Sequence, residues 1–225
     1  MKYVTYLVIA LAAAAVGFGV YRYGIEPRMA AELDENPAPP TLGDDATAAN
    51  SDPDAQSSLP EVLPDFTLAD LGGTPRSIRS WSGKSMVVNF WATWCAPCRR
   101  EIPLLNRIHA AHSDEGFQLV GVAVDFREDV AKFAQEIGID YPVLVGEQDG
   151  LDAVNKFGQG SLGFPFTVFT DNQHRIIAFH LGELEQQEMD VLLGVVRRVN
   201  SGELTPAAAR TVAAKQLAEL PPTEA

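Results

Sequence analysis

The feature that most constrains the fold is a pair of cysteines between a strand-like and a helix-like segment. Cys95 and Cys98 are the only two cysteines in 225 residues, and two residues separate them. The apolar run 86–91 before them is typical of a strand buried on both faces, whereas 97–112 has the apolar spacing of a helix. A thiol at a helix N-terminus faces unpaired N–H groups and the positive end of the helix dipole, and both lower its pKa. This order indicates disulfide-exchange chemistry.

Metal binding and a purely structural role are the alternatives for this pair. Two cysteines cannot form a Cys₄ zinc site, and a Cys₂His₂ site would need histidines such as His109 and His112. In a continuous helix His109 would lie about 16 Å along the axis from Cys98, which is too far for one metal ion. A structural disulfide would close too short a loop to constrain the unfolded chain appreciably. A redox role is therefore favoured.

Charge and composition limit the partners. The formal net charge is −13. Because phosphate binding needs clustered Lys and Arg, nucleic acid is not an expected partner. A chain of 225 residues has room for one ordinary domain with appendages. Neither a metal ion nor a cofactor is predicted.

Residues 1–23 predict an N-terminal membrane anchor. From Tyr3 to Tyr21 the sequence runs for 19 residues without a charge, which is long enough for a helix to cross a bilayer. A cleaved signal peptide is the alternative, since residues 12–15 offer an A-x-A-like site. Cleavage there would leave the apolar segment 16–21 on the mature protein, so an uncleaved anchor is favoured.

Two further segments flank the predicted domain. Residues 24–59 are rich in Ala, Pro, Asp and Ser, and they contain no Lys or Arg after Arg28. Such a segment buries too little apolar surface to offset the entropy of ordering it, so it is predicted to be a disordered acidic linker. Residues 201–225 predict a helical tail. Thr205 and Pro206 have the pattern of an N-cap and a first helical residue, and we expect this terminal helix to be mobile.

Residues 60–200 alternate between strand-like and helix-like segments, which predicts one α/β domain. Short strands at 66–68 and 77–78 around Gly72 and Gly73 predict an N-terminal β-hairpin. The alternation implies a central mixed β-sheet flanked by helices. The other predicted strands are 86–91, 117–124, 141–145, 164–169 and 175–181, and the predicted helices are 97–112, 125–137, 151–157 and 183–199.

At this point the residues carry a family resemblance. The segment from Asn89 to Glu101 reads NFWATWCAPCRRE, and Phe164 opens a later FPFT segment. Together they resemble the thioredoxin superfamily. Within it, the chain most resembles the membrane-anchored TlpA/ResA/CcmG group of bacterial thiol–disulfide oxidoreductases. The resemblance covers 60–200 and implies a thioredoxin fold.

The resemblance also implies roles for individual residues. Cys95 would be the exposed nucleophile and Cys98 the buried resolving thiol, with the two forming a redox-active disulfide. Pro165 would be a cis-proline packed against that disulfide. Client proteins would be contacted by Pro165 and by its neighbours around the motif, namely Trp94, Pro97 and Phe164.

Three other positions bear on the mechanism. Asn89 stands where thioredoxins carry a buried Asp, and Asn cannot take up or release a proton. Glu101 matches an active-site glutamate of the ResA-like proteins, and one helical turn from Cys98 it can exchange a proton with that thiol. An ordinary surface acid is the alternative for Glu101. Phe166 replaces the Glu that is usual in the cytochrome-maturation branch. Phe164 and Phe166 offer an apolar rim for a client, with core packing of at least one as the alternative.

The resulting hypothesis is a disulfide reductase of the bacterial cell envelope. The resemblance implies a single-pass protein of the inner membrane whose domain faces the periplasm or the exterior. Its partners would be client proteins with disulfides, in cytochrome or oxidase maturation among other processes, and a membrane electron donor of the DsbD/CcdA type. The direction of electron flow depends on the reduction potential of the cysteine pair.

Two other functions compete with the reductase. Asp65-Phe66-Thr67-Leu68 is shared with peroxiredoxin-like proteins, which favours a peroxidase on the same fold. A non-enzymatic copper-binding or metallochaperone module is the third hypothesis. Such modules typically use C-x-x-x-C with a distant His, and the spacing between Cys95 and Cys98 is one residue shorter.

Overall fold

The computed structural model describes residues 60–158 and 163–221. The predicted anchor, 1–23, and the predicted linker, 24–59, lie outside the described residues. Within the described ranges, no helix has both the length and the apolar character that a membrane span requires.

Seven strands form a single mixed sheet. Its order is β2-β1-β5-β4-β3-β6-β7, in which β3, β4 and β5 run parallel and every other pair is antiparallel. The strands are β1 Thr67–Asp70, β2 Pro75–Ser77, β3 Ser85–Trp91, β4 Phe117–Val124, β5 Val143–Gly146, β6 Phe166–Thr170 and β7 Ile176–Leu181. The predicted mixed sheet with an N-terminal hairpin is confirmed.

In the described part of the chain, five α-helices cover the sheet. They are α1 Ala96–His112, α2 Arg127–Ile137, α3 Gln148–Asn155, α4 Gln186–Asn200 and α5 Pro206–Ala218. Because side chains alternate along a strand, Val87 and Trp91 of β3 join the core layer beneath α1, α2 and α4. Val88 and Phe90 of the same strand join the opposite layer, which α3 covers. Asn89 therefore shares the face of α1.

Most predicted elements are present, with shifts at their ends. Strand β4 has the predicted bounds. Helix α2 begins two residues later than predicted, because Asp125 turns its carboxylate to Thr93 and to the N–H of Phe126. Helix α3 begins three residues earlier than predicted and ends before Phe157. Strand β5 begins at Val143, two residues later than predicted.

The helix after residue 200 differs from the mobile tail that the sequence suggests. Thr205 Oγ1 accepts a hydrogen bond from Ala208 N at 3.2 Å, which caps α5 at its N-terminus. Ala209 and Ala213 are buried in the core layer that α4 shares. Arg210 Nε donates to the carbonyl of Ile176 on the edge strand β7, at 3.0 Å. Helix α5 is thus packed onto the domain.

Candidate redox site

The two cysteines occupy the first turn of α1. Cys95 is the N-cap residue, Cys98 lies one turn along the helix, and a disulfide joins them. Cys98 N donates to Cys95 Sγ at 3.2 Å, so the backbone at the helix start is oriented toward that sulfur. Cys98 has no exposed surface and Cys95 keeps 5%. Cys95 is therefore the more accessible of the two, but it is far less exposed than the resemblance implies.

An apolar rim lies beside the disulfide. The peptide bond between Phe164 and Pro165 is cis, as the resemblance implies, and Pro165 is buried. Trp94 is 69% exposed, and its ring lies 6.0 Å from that of the half-buried Phe164 in an edge-on arrangement. Pro97, in the first turn of α1, is also half-buried. The structure thus places the Phe164 ring beside Trp94 and against the core layer that contains both cysteines.

Phe166 belongs to the core and exposes no surface at this rim. Its side chain is fully buried and stacks on Phe90 at a centroid distance of 4.3 Å. It starts β6, where alternate residues face the layer under α3. The alternative of core packing is therefore correct for Phe166, whereas Phe164 is left at the surface.

Glu101 is buried on the inner face of α1, and only 2% of it is exposed. The surface-acid alternative is therefore wrong. Its Oε1 accepts from Asn89 Nδ2 at 2.8 Å, and its Oε2 accepts from Leu184 N at 3.0 Å. Both bonds favour the carboxylate, but loss of water favours the neutral acid more strongly, and the pKa of Glu101 rises to about 7. Such an acid can take up or release a proton near neutral pH.

Asn89, on strand β3 of the sheet, fixes the position of the Glu101 carboxyl group. Its side chain is 1% exposed, and Nδ2 also donates to Thr167 Oγ1 on β6 at 3.0 Å. Because Asn is a donor here and never ionises, it fixes the position of the carboxyl group without adding a second buried charge.

Helix α1 also fixes the loop between β7 and α4. Arg100 Nε donates to Glu183 Oε2 at 2.8 Å, while the next residue, Glu101, binds the following N–H of Leu184. Arg100 thus binds Glu183 at the protein surface, and Glu101 binds Leu184 in the interior. Sequence reasoning missed Leu184, because a backbone amide 83 residues away from Glu101 leaves no side-chain pattern to detect.

Asp125 is the other contact that sequence reasoning missed. It directly follows β4, and its Oδ2 accepts from Thr93 N at 3.1 Å and from the Thr93 hydroxyl. These bonds fasten the loop that precedes Trp94 and Cys95. An acid directly after a parallel strand was a usable signal, since the carboxyl ends of neighbouring parallel strands share one sheet edge.

Potential metal-binding side chains do not cluster in the described ranges. Between residues 60–158 and 163–221, no group of three or more His, Cys, Asp or Glu side chains is arranged to hold one. His109, on α1, packs edge-on to Tyr141 with ring centroids 6.3 Å apart. His112, at the end of α1, pairs with Glu115 at 2.9 Å.

Known proteins share this fold and this motif. Residues 60–189, more than half of the chain, match the AhpC/TSA family. The thiol-disulfide oxidoreductase ResA of Geobacillus thermodenitrificans is 32% identical over 129 residues, which span 57% of this chain and 72% of that protein. The thioredoxin-like protein YneN of Bacillus subtilis is 32% identical over 136 residues, spanning 58% and 75% respectively.

A solved structure agrees with these relatives. The thioredoxin domain of a thiol-disulfide oxidoreductase from Bacteroides vulgatus superposes with a TM-score of 0.52 at 29% identity, covering 63% of this chain and 96% of that domain. The relatives' names do not favour the peroxidase or the copper-binding hypothesis. The chain belongs to the AhpC/TSA family, and within it to the thiol–disulfide oxidoreductases of thioredoxin fold.

Proposed function

We propose that this chain reduces disulfides in proteins outside the cytoplasm, with Cys95 as the nucleophile and Cys98 as the resolving thiol. The observation that carries the proposal is a buried acid, with a pKa of about 7, one helical turn from Cys98. A resolving thiol buried from water needs a proton acceptor within the protein, and Glu101 is the titratable group placed for that role.

The reaction conserves electrons and protons at each step. Cys95 thiolate attacks one sulfur of the client disulfide, a Cys95–client bond forms, and the departing client thiolate takes up a proton. Glu101 then accepts the proton of Cys98, whose thiolate attacks Cys95 Sγ. The intramolecular disulfide forms, and the second client sulfur leaves as a thiolate that is protonated in turn. Two electrons pass to the client, and the protein is left oxidised, as in this structure.

The helix start supports the first step. Cys95 is the N-cap residue, where the unpaired N–H groups and the dipole of α1 favour the thiolate. Trp94, Phe164, Pro97 and Pro165 would hold the client chain against this sulfur, and the exposed indole offers an apolar contact.

Location and partners complete the proposal. The uncharged segment from Tyr3 to Tyr21 would tether the domain to a bacterial inner membrane, with the domain on the outer side. A membrane dithiol donor of the DsbD/CcdA type would reduce Cys95–Cys98 after each turnover. Proteins that await haem or copper on a cysteine pair, as in cytochrome and oxidase maturation, are the clients to test first.

Trapping tests this function. Cys98→Ser removes the resolving thiol, so the full-length variant should accumulate disulfide-linked adducts with envelope proteins through Cys95. Diagonal electrophoresis, with reduction in the second dimension, would display them. Cys95→Ser, in which Cys98 remains buried, is the matched control and should trap nothing. Absence of adducts with Cys98→Ser contradicts the proposal.

The reduction potential tests the direction of electron flow. A reductase should have a potential near that of thioredoxin, about −270 mV, whereas an oxidant of the DsbA kind lies near about −120 mV. Equilibration of the wild-type protein with glutathione or dithiothreitol buffers measures it. A value near the second figure would reverse the assigned direction.

A further inference from the structure

A groove runs along α1 directly beside the redox motif. It has a volume of about 420 Å³ and lies between α1 and α2. Ala96 marks its redox end, and Pro103 and Ile137 mark its far end. From Ala96 to Pro103 the helix advances about 10 Å at 1.5 Å per residue, which equals the reach of about three residues of extended peptide.

The floor of this groove is apolar. Ile102 is buried beneath it, and Phe133 and Ile137 of α2 form its far wall, with Ile137 39% exposed. Beyond Pro103 the two helices are joined, because Asn106 Nδ2 donates to the carbonyl of Gly138 at 2.8 Å. The groove is thus bounded beyond Pro103, and its other end is lined by Ala96, the residue after Cys95.

One cation at the groove has no acidic partner. Arg99 stacks its guanidinium over the ring of Phe133 at 5.2 Å. Among residues 60–158 and 163–221, no carboxylate lies within ion-pair distance of Arg99. Its neighbour Arg100 is already bound to Glu183, and Glu136 of α2 is already paired with Lys132 at 3.9 Å. The free guanidinium gives the groove a positive rim, although the whole chain is strongly acidic.

We propose that this groove is a docking subsite for client proteins, and that it accepts a segment with an acidic residue beside an apolar one, within about three residues of the client's cysteine. The proposal rests on the function proposed above. The client carboxylate would pair with Arg99, whose stacking on Phe133 already holds the guanidinium in place. The apolar side chain would lie on Ile102 and against Ile137.

Charge complementarity decides the occupant. An apolar floor alone would accept any hydrophobic side chain, but a guanidinium that lacks an acidic partner favours a carboxylate and repels a cation. Ala96 lines the groove and directly follows Cys95 in the chain, so a client held by its cysteine at Cys95 would have its neighbouring residues near this position. The subsite therefore adds a preference for an acidic residue near the reacting cysteine of the client.

Two disulfide-linked peptides test the charge preference. They are identical except for Glu or Lys two residues from the cysteine, with Leu beside it, and each oxidises the reduced full-length protein. The second-order rate constant should be about fivefold higher for the Glu peptide, and the ratio should shrink as salt increases. R99E should abolish or reverse the ratio. R107E, an exposed arginine two turns along α1 that bonds to the Pro103 carbonyl, should preserve it.

A second pair of variants tests the apolar floor. I137S should slow both peptides about threefold. L151S is the matched control, since Leu151 is 43% exposed on α3, and it should leave both rates unchanged. Oxidation by neutral hydroxyethyl disulfide serves as the reference for each variant. If the protein reacts with hydroxyethyl disulfide but shows no preference between the two peptides, the docking subsite alone is overturned. If it reacts with none of these disulfides, the proposed function is overturned.

Two other outcomes would overturn the client assignment. A preference that R107E removes as fully as R99E would mean that general charge, not the groove, selects the peptide. A wild-type ratio of one, with R99E speeding both peptides relative to hydroxyethyl disulfide, would assign the groove to the chain's own acidic segment 29–59.

Discussion

Glu101 is a carboxyl group held between two donors in a site that excludes water. Asn89 and the amide of Leu184 each bind one of its oxygens, so both donors favour the charged form. Burial opposes them and prevails, which leaves the pKa at about 7. The balance is useful because the same group can accept a proton from one thiol and release it in the next half-cycle. Full hydration would lower this pKa, and loss of the donors would raise it further.

A Glu101→Gln variant tests this role. In the wild type, resolution of a Cys95–peptide mixed disulfide should quicken as pH rises and level off near about pH 7, where Glu101 becomes a base. The variant should resolve about a hundredfold more slowly near pH 7. Because the variant lacks this base, its rate should not level off near neutral pH. Stopped-flow tryptophan fluorescence from about pH 5 to about pH 9 would follow the reaction.

The control for that experiment is another glutamate. Glu136 is exposed on α2 and pairs only with Lys132, at 3.9 Å, so Glu136→Gln should keep the wild-type profile. Equal profiles for wild type and Glu101→Gln would show that the Cys98 proton leaves by another route.

At the scale of elements, the local sequence pattern predicted which segments form strands and helices. It did not reveal the contacts between distant segments. The mostly apolar run of β4 specified its two ends, because both faces of that strand are buried. The predicted start of helix α3 was three residues too late, because its first turn holds Gln148, Asp149 and Gly150, which have no apolar periodicity. Element identity thus followed from periodicity, whereas element ends depended on side-chain contacts with other strands.

The redox site likewise combines features that are local in the sequence with contacts between distant residues. The Cys-x-x-Cys spacing and the proline before β6 are local, and both were available from the sequence. The burial of Glu101 was not, because it depends on Asn89, 12 residues before it, and on Leu184, 83 residues after it. Helix α5 was misjudged for a related reason. Its buried residues are alanines, and a stripe of small side chains gives little amphipathic signal.

Helix α5 makes an element-scale prediction. Ala209 is fully buried in the core layer, so Ala209→Leu should overpack that layer and lower the free energy of unfolding by about 1–3 kcal/mol. Ala214→Leu adds the same atoms at an exposed position of the same helix and should change little. Urea unfolding measures both variants. Equal effects would mean that α5 leaves the domain in solution.

For the whole molecule, two arginines follow the redox motif although the chain is strongly acidic. The chain carries a formal charge of −13, yet Arg99 and Arg100 stand in succession directly after Cys98. Helix α1 also starts at the redox motif, and its dipole adds to their positive potential. A thiolate at Cys95 is therefore stabilised within a protein whose overall charge opposes anions. The buried Glu101 lies in the same region, where its protonation couples catalysis to stability.

That coupling gives a prediction for the stability of the oxidised protein. Glu101 has a pKa of about 7 when folded, against 4.5 as the ordinary value. Between these values the native state binds more protons than the unfolded state, so the free energy of unfolding falls as pH rises. The contribution is full below about pH 4.5 and is lost above about pH 7. The pKa difference, from 4.5 to about 7, corresponds to about 3 kcal/mol.

Urea unfolding of wild type and Glu101→Gln across this range isolates the effect. Because the other carboxyl groups titrate in both proteins, the difference between the two free energies removes their contribution. Wild type should lose about 3 kcal/mol relative to the variant from acid to neutral pH. Glu136→Gln should run parallel to wild type, since its carboxylate is exposed. A difference that stays constant would show that Glu101 ionises normally in the folded protein, and the proton-acceptor role would then need another group.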